Sequence, residues 1–215
     1  MQTDTEPLEL IPPTSLSLNL VSQAVLPQEI DTISTQGTIR HMFKLASGKG
    51  HSKNDTRQMV GLAAPQIGIL KRIISIDVTA DGSNKPQNLK IFINPRLISH
   101  STETDLGREG CWSCGNICGA VSRFRSVELE ALDPSGKSFT ATLQGFVARI
   151  AQHEIDHLDG IRFPDRIPLD EPEHLHYVKP EEFSSYRTDW ARWQTLCPRA
   201  DWEHMKSGEA IRPNE

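Results

Sequence analysis

No apolar run in this 215-residue sequence approaches the roughly 18 residues that a membrane-spanning helix needs. No Lys or Arg precedes Arg40, and the opening MQTDTEPLELIPP carries three acids. That pattern argues against a secretory signal and against an Arg-rich organelle transit peptide, so the expected compartment is the cytoplasm. Positive charge is not in excess either: the formal net charge is -5, which gives no reason to expect nucleic acid or a membrane surface as partner. Cysteine is scarce, with only four in the chain, and three of them (Cys111, Cys114 and Cys118) fall within eight residues. A disulfide scaffold is not expected in a chain this long without a leader. The cluster reads instead as metal ligation or thiol chemistry, the plain alternative being incidental buried thiols.

What is present is enough for one ordinary domain with a sizeable core. Residues 1–28 show no clear period and read as an irregular N-terminal arm. Residues 29–46 place Ile30, Ile33, Met42 and Phe43 among polar residues and predict an amphipathic helix. The polar stretch 47–58 reads as a surface loop. RIISIDV at 72–78 predicts a strand, ADGSNKPQ a turn, and LKIFINPRLI a second strand that ends near Pro95. SVELEALD at 126–133 and SFTATLQ at 138–144 alternate cleanly across a turn at Asp133-Pro134-Ser135-Gly136, a hairpin. In residues 146–158 the period changes: Phe146, Ile150, His153 and His157 form one helical stripe, and Gly160 is placed to stop it. The tail, 169–215, is acidic and Trp-rich. Phe183, Tyr186, Trp190 and Trp193 indicate a helix that docks on the body or on another subunit. The fold class expected is α+β: a mostly antiparallel sheet packed around a central helix, with residues 29–168 forming the main unit.

The sharpest feature is His153-Glu154-Ile155-Asp156-His157. A four-residue step on a helix turns about 400° and rises roughly 6 Å, so the two imidazoles project from one face, one turn apart. Glu154 sits about 100° round from His153, within reach of a water beside an ion without being a ligand. Two histidines on a core face are the plain alternative. A catalytic ion needs a third protein ligand and one open position. Cys111 offers one upstream. Glu171, Glu173, His174 and His176 offer others downstream, as a metallopeptidase would require. Cys111 with Cys114 would instead close a Cys₂His₂ site and make a zinc-stabilised binding module. Spacing alone leaves these open.

GLAAPQIG at 61–68, EGCWS at 109–113 and QHEIDHLDG at 152–160 stand in the order and rough spacing of the three signature motifs of the peptide deformylase family. The sequence resembles that family over about residues 59–168. The resemblance implies removal of the N-formyl group from N-formylmethionyl peptides, nascent chains at the ribosome among them, with release of formate. It implies one divalent metal ion, Fe²⁺ or Zn²⁺ (Ni²⁺ and Co²⁺ being alternatives), held by Cys111, His153 and His157. It makes Glu154 the proton-transfer group, with the Gln66 side-chain amide and the Trp112 backbone N–H stabilising the oxyanion. Val60, Gly61, Glu109, Gly110, Phe146 and Ile150 fall at substrate-binding positions, and Glu109 with Arg123 at a buried acid–base pair. Asp156 reads either as a residue that orients a ligand or as a plain polar helix residue.

The sequence departs from the family pattern at several places. Met59 stands where the first motif usually opens with Gly, directly after a polar stretch that looks like an insertion. Trp112 replaces an aliphatic residue. After Ser113 the chain runs CGNICG, with Cys118 in the place of an Arg that helps hold the substrate backbone. Arg149 stands where many members have an apolar pocket residue. These departures bear on substrate range, and hydrolysis of other formylated or acylated amines is the alternative they leave open.

Overall fold

The computed structural model describes residues 9–49, 58–82 and 88–209. Most of the polar stretch 47–58, part of the turn after RIISIDV and both extreme ends of the chain lie outside these residues. Among the described residues, eight strands form two antiparallel sheets. The larger has the order β1-β2-β3-β6-β7, with β1 at Gly61–Ala63, β2 at Ile73–Asp77, β3 at Leu89–His100, β6 at Ser126–Leu132 and β7 at Ser138–Gln144. The smaller has the order β4-β5-β8, with β4 at Thr104–Gly110, β5 at Ile117–Phe124 and β8 at Leu175–Tyr177. Also described are the α-helices α1 at Ile33–Ala46, α2 at Gly145–Leu158, α3 at Phe183–Asp189 and α4 at Arg199–Lys206. The α+β class expected from the patterning holds. The antiparallel framework is divided into two sheets rather than one.

The larger sheet is covered on both faces, and the pleat explains how. Successive strand residues point to opposite faces. In β3, Phe92 enters the core with α2, while Ile91 and Ile93 enter the core with α1. All five residues of β2 are buried, which is why RIISIDV reads as a nearly continuous apolar run. Helix α2 buries Ala148, Ile150, Ala151, Ile155 and Leu158 against this sheet. Helix α1 begins four residues later than expected, where the Thr32 hydroxyl accepts from Thr35 N at 3.3 Å and caps it. Met59, out of place for the first motif, packs in the α1 core.

Two expectations need correction. The strand expected to end near Pro95 runs on to His100. Proline lacks the ladder N–H, but here it sits in a bulge, between the register positions Ile93 and Arg96. Asn94 takes a positive φ of 51° at that point, and its side-chain amide makes two 2.8 Å bonds to the backbone of Val25. The tail is not a single docked helix. It supplies β8 to the smaller sheet, then α3, then α4, and Trp190 and Trp193 lie beyond the end of α3. The N-terminal arm is anchored as well: Ser22 N donates to Leu158 O at 2.7 Å, and Gln23 bridges to Lys71.

Arm, tail and second motif meet at Arg162. Its guanidinium donates to Pro13 O at 2.7 Å, Ser113 O at 2.8 Å and Asn19 Oδ1 at 3.0 Å, and it stacks 4.4 Å above the buried ring of Trp202 from α4. Trp202→Ala removes that face and a core filler, and is expected to cost about 3–5 kcal/mol of unfolding free energy. Urea unfolding followed by circular dichroism measures it. A loss below about 1 kcal/mol would show that the tail does not stabilise the body.

Candidate metal centre

Both histidines of the third motif come from α2, one turn apart, with ring centroids 5.0 Å apart and planes at 79°. Cys111 follows β4, the free edge of the smaller sheet, and is brought to the same point. One donor atom each from Cys111, His153 and His157 lies within 4.8 Å of the other two. Among the described residues this trio is the group of His, Cys, Asp and Glu able to hold an ion, and Cys114 is not part of it. The downstream candidates are engaged elsewhere. His174 Nδ1 pairs with Glu171 at 2.9 Å, and His176 bonds the Tyr186 hydroxyl at 3.0 Å and Glu173 O at 2.8 Å. The closed four-ligand site and the metallopeptidase ligand set are therefore not assembled.

Each donor is held from behind. His153 Nδ1–H donates to Glu109 Oε2 at 2.8 Å, which directs the other ring nitrogen to the site. His157 Nε2 lies 3.3 Å from Cys111 Sγ. The Gln66 amide is oriented by its own backbone: Ala63 N donates to Oε1 at 2.8 Å, so Nε2 faces Cys111 Sγ at 3.3 Å and Ser113 Oγ at 3.2 Å. Hydrogen bonding from the Cys114 thiol and the charge of His157 hold Cys111 well below the usual thiol range despite burial. A sulfur poised as thiolate beside two imidazoles is a donor set that suits Fe²⁺, Zn²⁺, Ni²⁺ or Co²⁺ and fits the metal site expected from the motifs.

Glu109 is the most heavily bonded carboxylate of the site. Arg123 reaches it with two bonds, Nε to Oε1 at 2.9 Å and Nη2 to Oε2 at 3.0 Å. Arg149 Nη1 adds one to Oε1 at 3.0 Å. Burial alone would raise its pKa, but the His153 hydrogen bond and the Arg123 charge bring it down to about 2. Glu109 was expected both as half of an acid–base pair and among the substrate-contacting residues. Its side chain serves the first role, since its oxygens are taken up by Arg123, Arg149 and His153. Asp156 does not touch a ligand. It accepts from Arg123 at 2.6 Å and from Arg166 at 2.5 Å, and so braces Arg123.

Glu154 is buried, and its Oε2 has no partner among the described residues. Burial pushes its pKa up to about 7, against the opposing pull of His153 and His157. Gly61 must be glycine here: a Cβ would collide with Glu154 Oε1 and come within 2.8 Å of Ile150. Val60 and Phe146 are half-buried beside the core that contains Ile150. Gly110 ends β4 in the open, and Trp112, 41% exposed, opens the turn after Cys111.

Arg149 is a departure that the structure accounts for. Its buried guanidinium donates to Asp105 O at 2.6 Å, Val121 O at 2.7 Å and Gly107 O at 3.2 Å, besides Glu109. A Cβ on Gly107 would lie 2.8 Å from Arg149 Nη2. The guanidinium thus occupies space that only a glycine at 107 leaves free. A cavity of about 380 Å³, lined by Leu106, His174, His176, Trp190 and Trp193 among others, lies on the outer face of the smaller sheet, and none of Cys111, His153 and His157 lines it.

The geometry can be set beside known proteins. A model of the polypeptide deformylase family matches residues 16–173. A peptide deformylase from Prochlorococcus marinus (strain NATL1A) is 41% identical over 112 residues, 52% of this chain and 54% of that protein. The chain spans about half the length of the curated relatives it matches. Among solved structures, the Met-Ala-Ser bound class I type b peptide deformylase from Acinetobacter baumannii has a TM-score of 0.65 and 31% identity, covering 74% of this chain and 98% of that one. A peptide deformylase from Synechococcus elongatus in complex with actinonin has a TM-score of 0.63 and 30% identity, covering 77% and 83%.

The ligand set makes a direct prediction. Cys111→Ser loses most bound metal after dialysis, whereas Cys114→Ser retains about one ion per chain, as measured by elemental analysis. Equal loss in both would restore the four-ligand site.

Proposed function

The chain belongs to the polypeptide deformylase family, and from that premise we propose that it removes the N-formyl group from N-formylmethionyl peptides and releases formate. The observation that carries the reading is the convergence of Cys111, His153 and His157 with a buried Glu154 whose Oε2 has no partner among the described residues. Cys111 Sγ and the two imidazoles would hold one divalent ion, with Fe²⁺ or Zn²⁺ first and Ni²⁺ or Co²⁺ as alternatives. When bound, that ion supplies the Lewis acidity that makes a water nucleophilic near neutral pH.

The chain's own residues do the rest. Glu154 takes the proton of the attacking water and passes it to the departing amine, a task that its pKa of about 7 suits. As the carbonyl oxygen gains charge, Gln66 Nε2 donates to it, preset by the Ala63 bond to Oε1. The Trp112 backbone N–H is the second donor. A backbone donor does not depend on side chain, so the Trp leaves it in place. The substrate lies extended between the free edges β1 and β4, with its backbone beside Val60, Gly61 and Gly110. The methionine side chain turns toward Phe146 and Ile150. A relative solved with Met-Ala-Ser bound supports a methionyl peptide as ligand.

Nascent chains in the cytoplasm are the natural source of such peptides. We take residues 29–168 as the catalytic unit, with 1–28 as an N-terminal arm and 169–215 as a C-terminal extension. A second reading keeps the chemistry and moves the substrate to other acylated amines. The Arg149 guanidinium over Gly107, where an apolar wall is usual, favours it.

Formate release from formyl-Met-Ala-Ser, with Fe²⁺-loaded protein kept anaerobic, tests the proposal. Glu154→Ala is expected to lower kcat by about 10²–10⁴-fold while keeping the ion. Undiminished turnover in that variant would remove the mechanism, and turnover on acyl amines alone would favour the second reading.

A further inference from the structure

The outer end of the cleft between β1 and β4 carries charge that the reaction does not use. Both strands are sheet edges, and both lead away from the ligands. Gln66 and Cys111 meet at the metal end, whereas Val60 and Arg108 lie toward the other. Arg108 pairs with Ala120, and Gly110 pairs with Cys118, so Arg108, Gly110 and Cys118 share one face of the smaller sheet. On that face Cys118 packs with Tyr186 of α3. The next residue, Arg187, donates to Gly82 O at 2.5 Å. Gly82 follows β2, whose end is joined to β1 where Asp77 N donates to Val60 O at 2.8 Å. The Arg187 bond therefore ties the two walls together at the outer end.

Arg108 and Arg187 are both half-buried, and neither forms an ion pair with a carboxylate among the described residues. Burial and the like charge of Arg187 both pull the Arg108 pKa down. Arg149 adds a third positive charge nearby, its own donors spent on Glu109 and main-chain oxygens. Partly desolvated like charges with no anion between them are costly, and a carboxylate placed there would relieve that cost.

An extended chain alternates its side chains. If the first residue faces α2, where Phe146 and Ile150 stand, the second faces the opposite way, the face of Arg108. We propose that Arg108 and Arg187 form a carboxylate-binding subsite for the substrate chain, a proposal that rests on the deformylase reading for the substrate's placement. The carboxylate is the side chain of an Asp or Glu at the second residue, or the C-terminus of a short peptide.

Product peptides test this without turnover. Met-Asp-amide against Met-Asn-amide, and Met-Ala against Met-Ala-amide, are titrated onto the metal-loaded full chain by calorimetry at low salt. In at least one pair the acidic member is expected to bind about tenfold tighter, with the gap shrinking at high salt. The pair that shows the gap identifies the source of the carboxylate. Arg108→Gln and Arg187→Gln should each bring that ratio toward one. Each ratio is internal to one sample, so a reduced folded fraction does not imitate the effect. Equal binding within both pairs, or a gap that survives both substitutions, overturns the subsite. A preserved gap in a protein that releases no formate supports the subsite and counts against the deformylase reading alone.

Discussion

The site depends on one carboxylate. Glu109 accepts a hydrogen bond from His153 Nδ1–H and is itself gripped by Arg123 and Arg149. Arg123 is held in turn by Asp156, and Asp156 by Arg166. This chain of bonds runs from β4 through β5 to α2 and on to the turn after it. An ionised group buried without partners is among the costliest features a core can carry, so each member fixes the next. The aim of His153 is therefore set by the packing of both sheets on α2.

The two-sheet plan explains how a single helix can serve a site of this kind. One side of α2 packs Ala148, Ile155 and Leu158 on the larger sheet and gains its stability there. The stripe of Arg149, His153, Glu154 and His157 is thereby pressed toward the smaller sheet and the gap between them. β1 and β4 are left as free edges on either side of that gap. Exposed edges invite another strand, and this fold leaves them open where an extended peptide would lie. The tail lengthens one wall by adding β8 and α3 to the smaller sheet, and reaches the other through Arg187.

Much of the site was legible in the sequence because its chemistry is local. The His153–His157 step and the embedded Glu154 are properties of one helix, readable from a four-residue period. Cys111 could be joined to them only through the resemblance, since 42 positions and a change of sheet separate it from His153. The hairpin of β6 and β7 was equally plain, its alternation being uninterrupted. Longer-range features were less visible. Pro95 looked like a strand end because the compensating Asn94–Val25 pairing comes from a distant segment. β8 has three residues, too few for a period, and exists because β5 offers it an edge. Arg162 was given no role from the sequence, and its importance comes from the three separate carbonyl and amide oxygens it gathers. Arg149 stood out as a charge where the family usually has an apolar pocket residue, but its match with Gly107 required the strand and helix to be placed together.

The most direct test of this account is the metal dissociation constant of Glu109→Gln, measured beside the unaltered protein with the folded state verified by circular dichroism. Losing the charge that orients His153 should weaken metal binding by about 10–100-fold while the secondary structure persists. An unchanged dissociation constant in a folded variant would show that His153 holds its aim without Glu109, and would contradict the central claim.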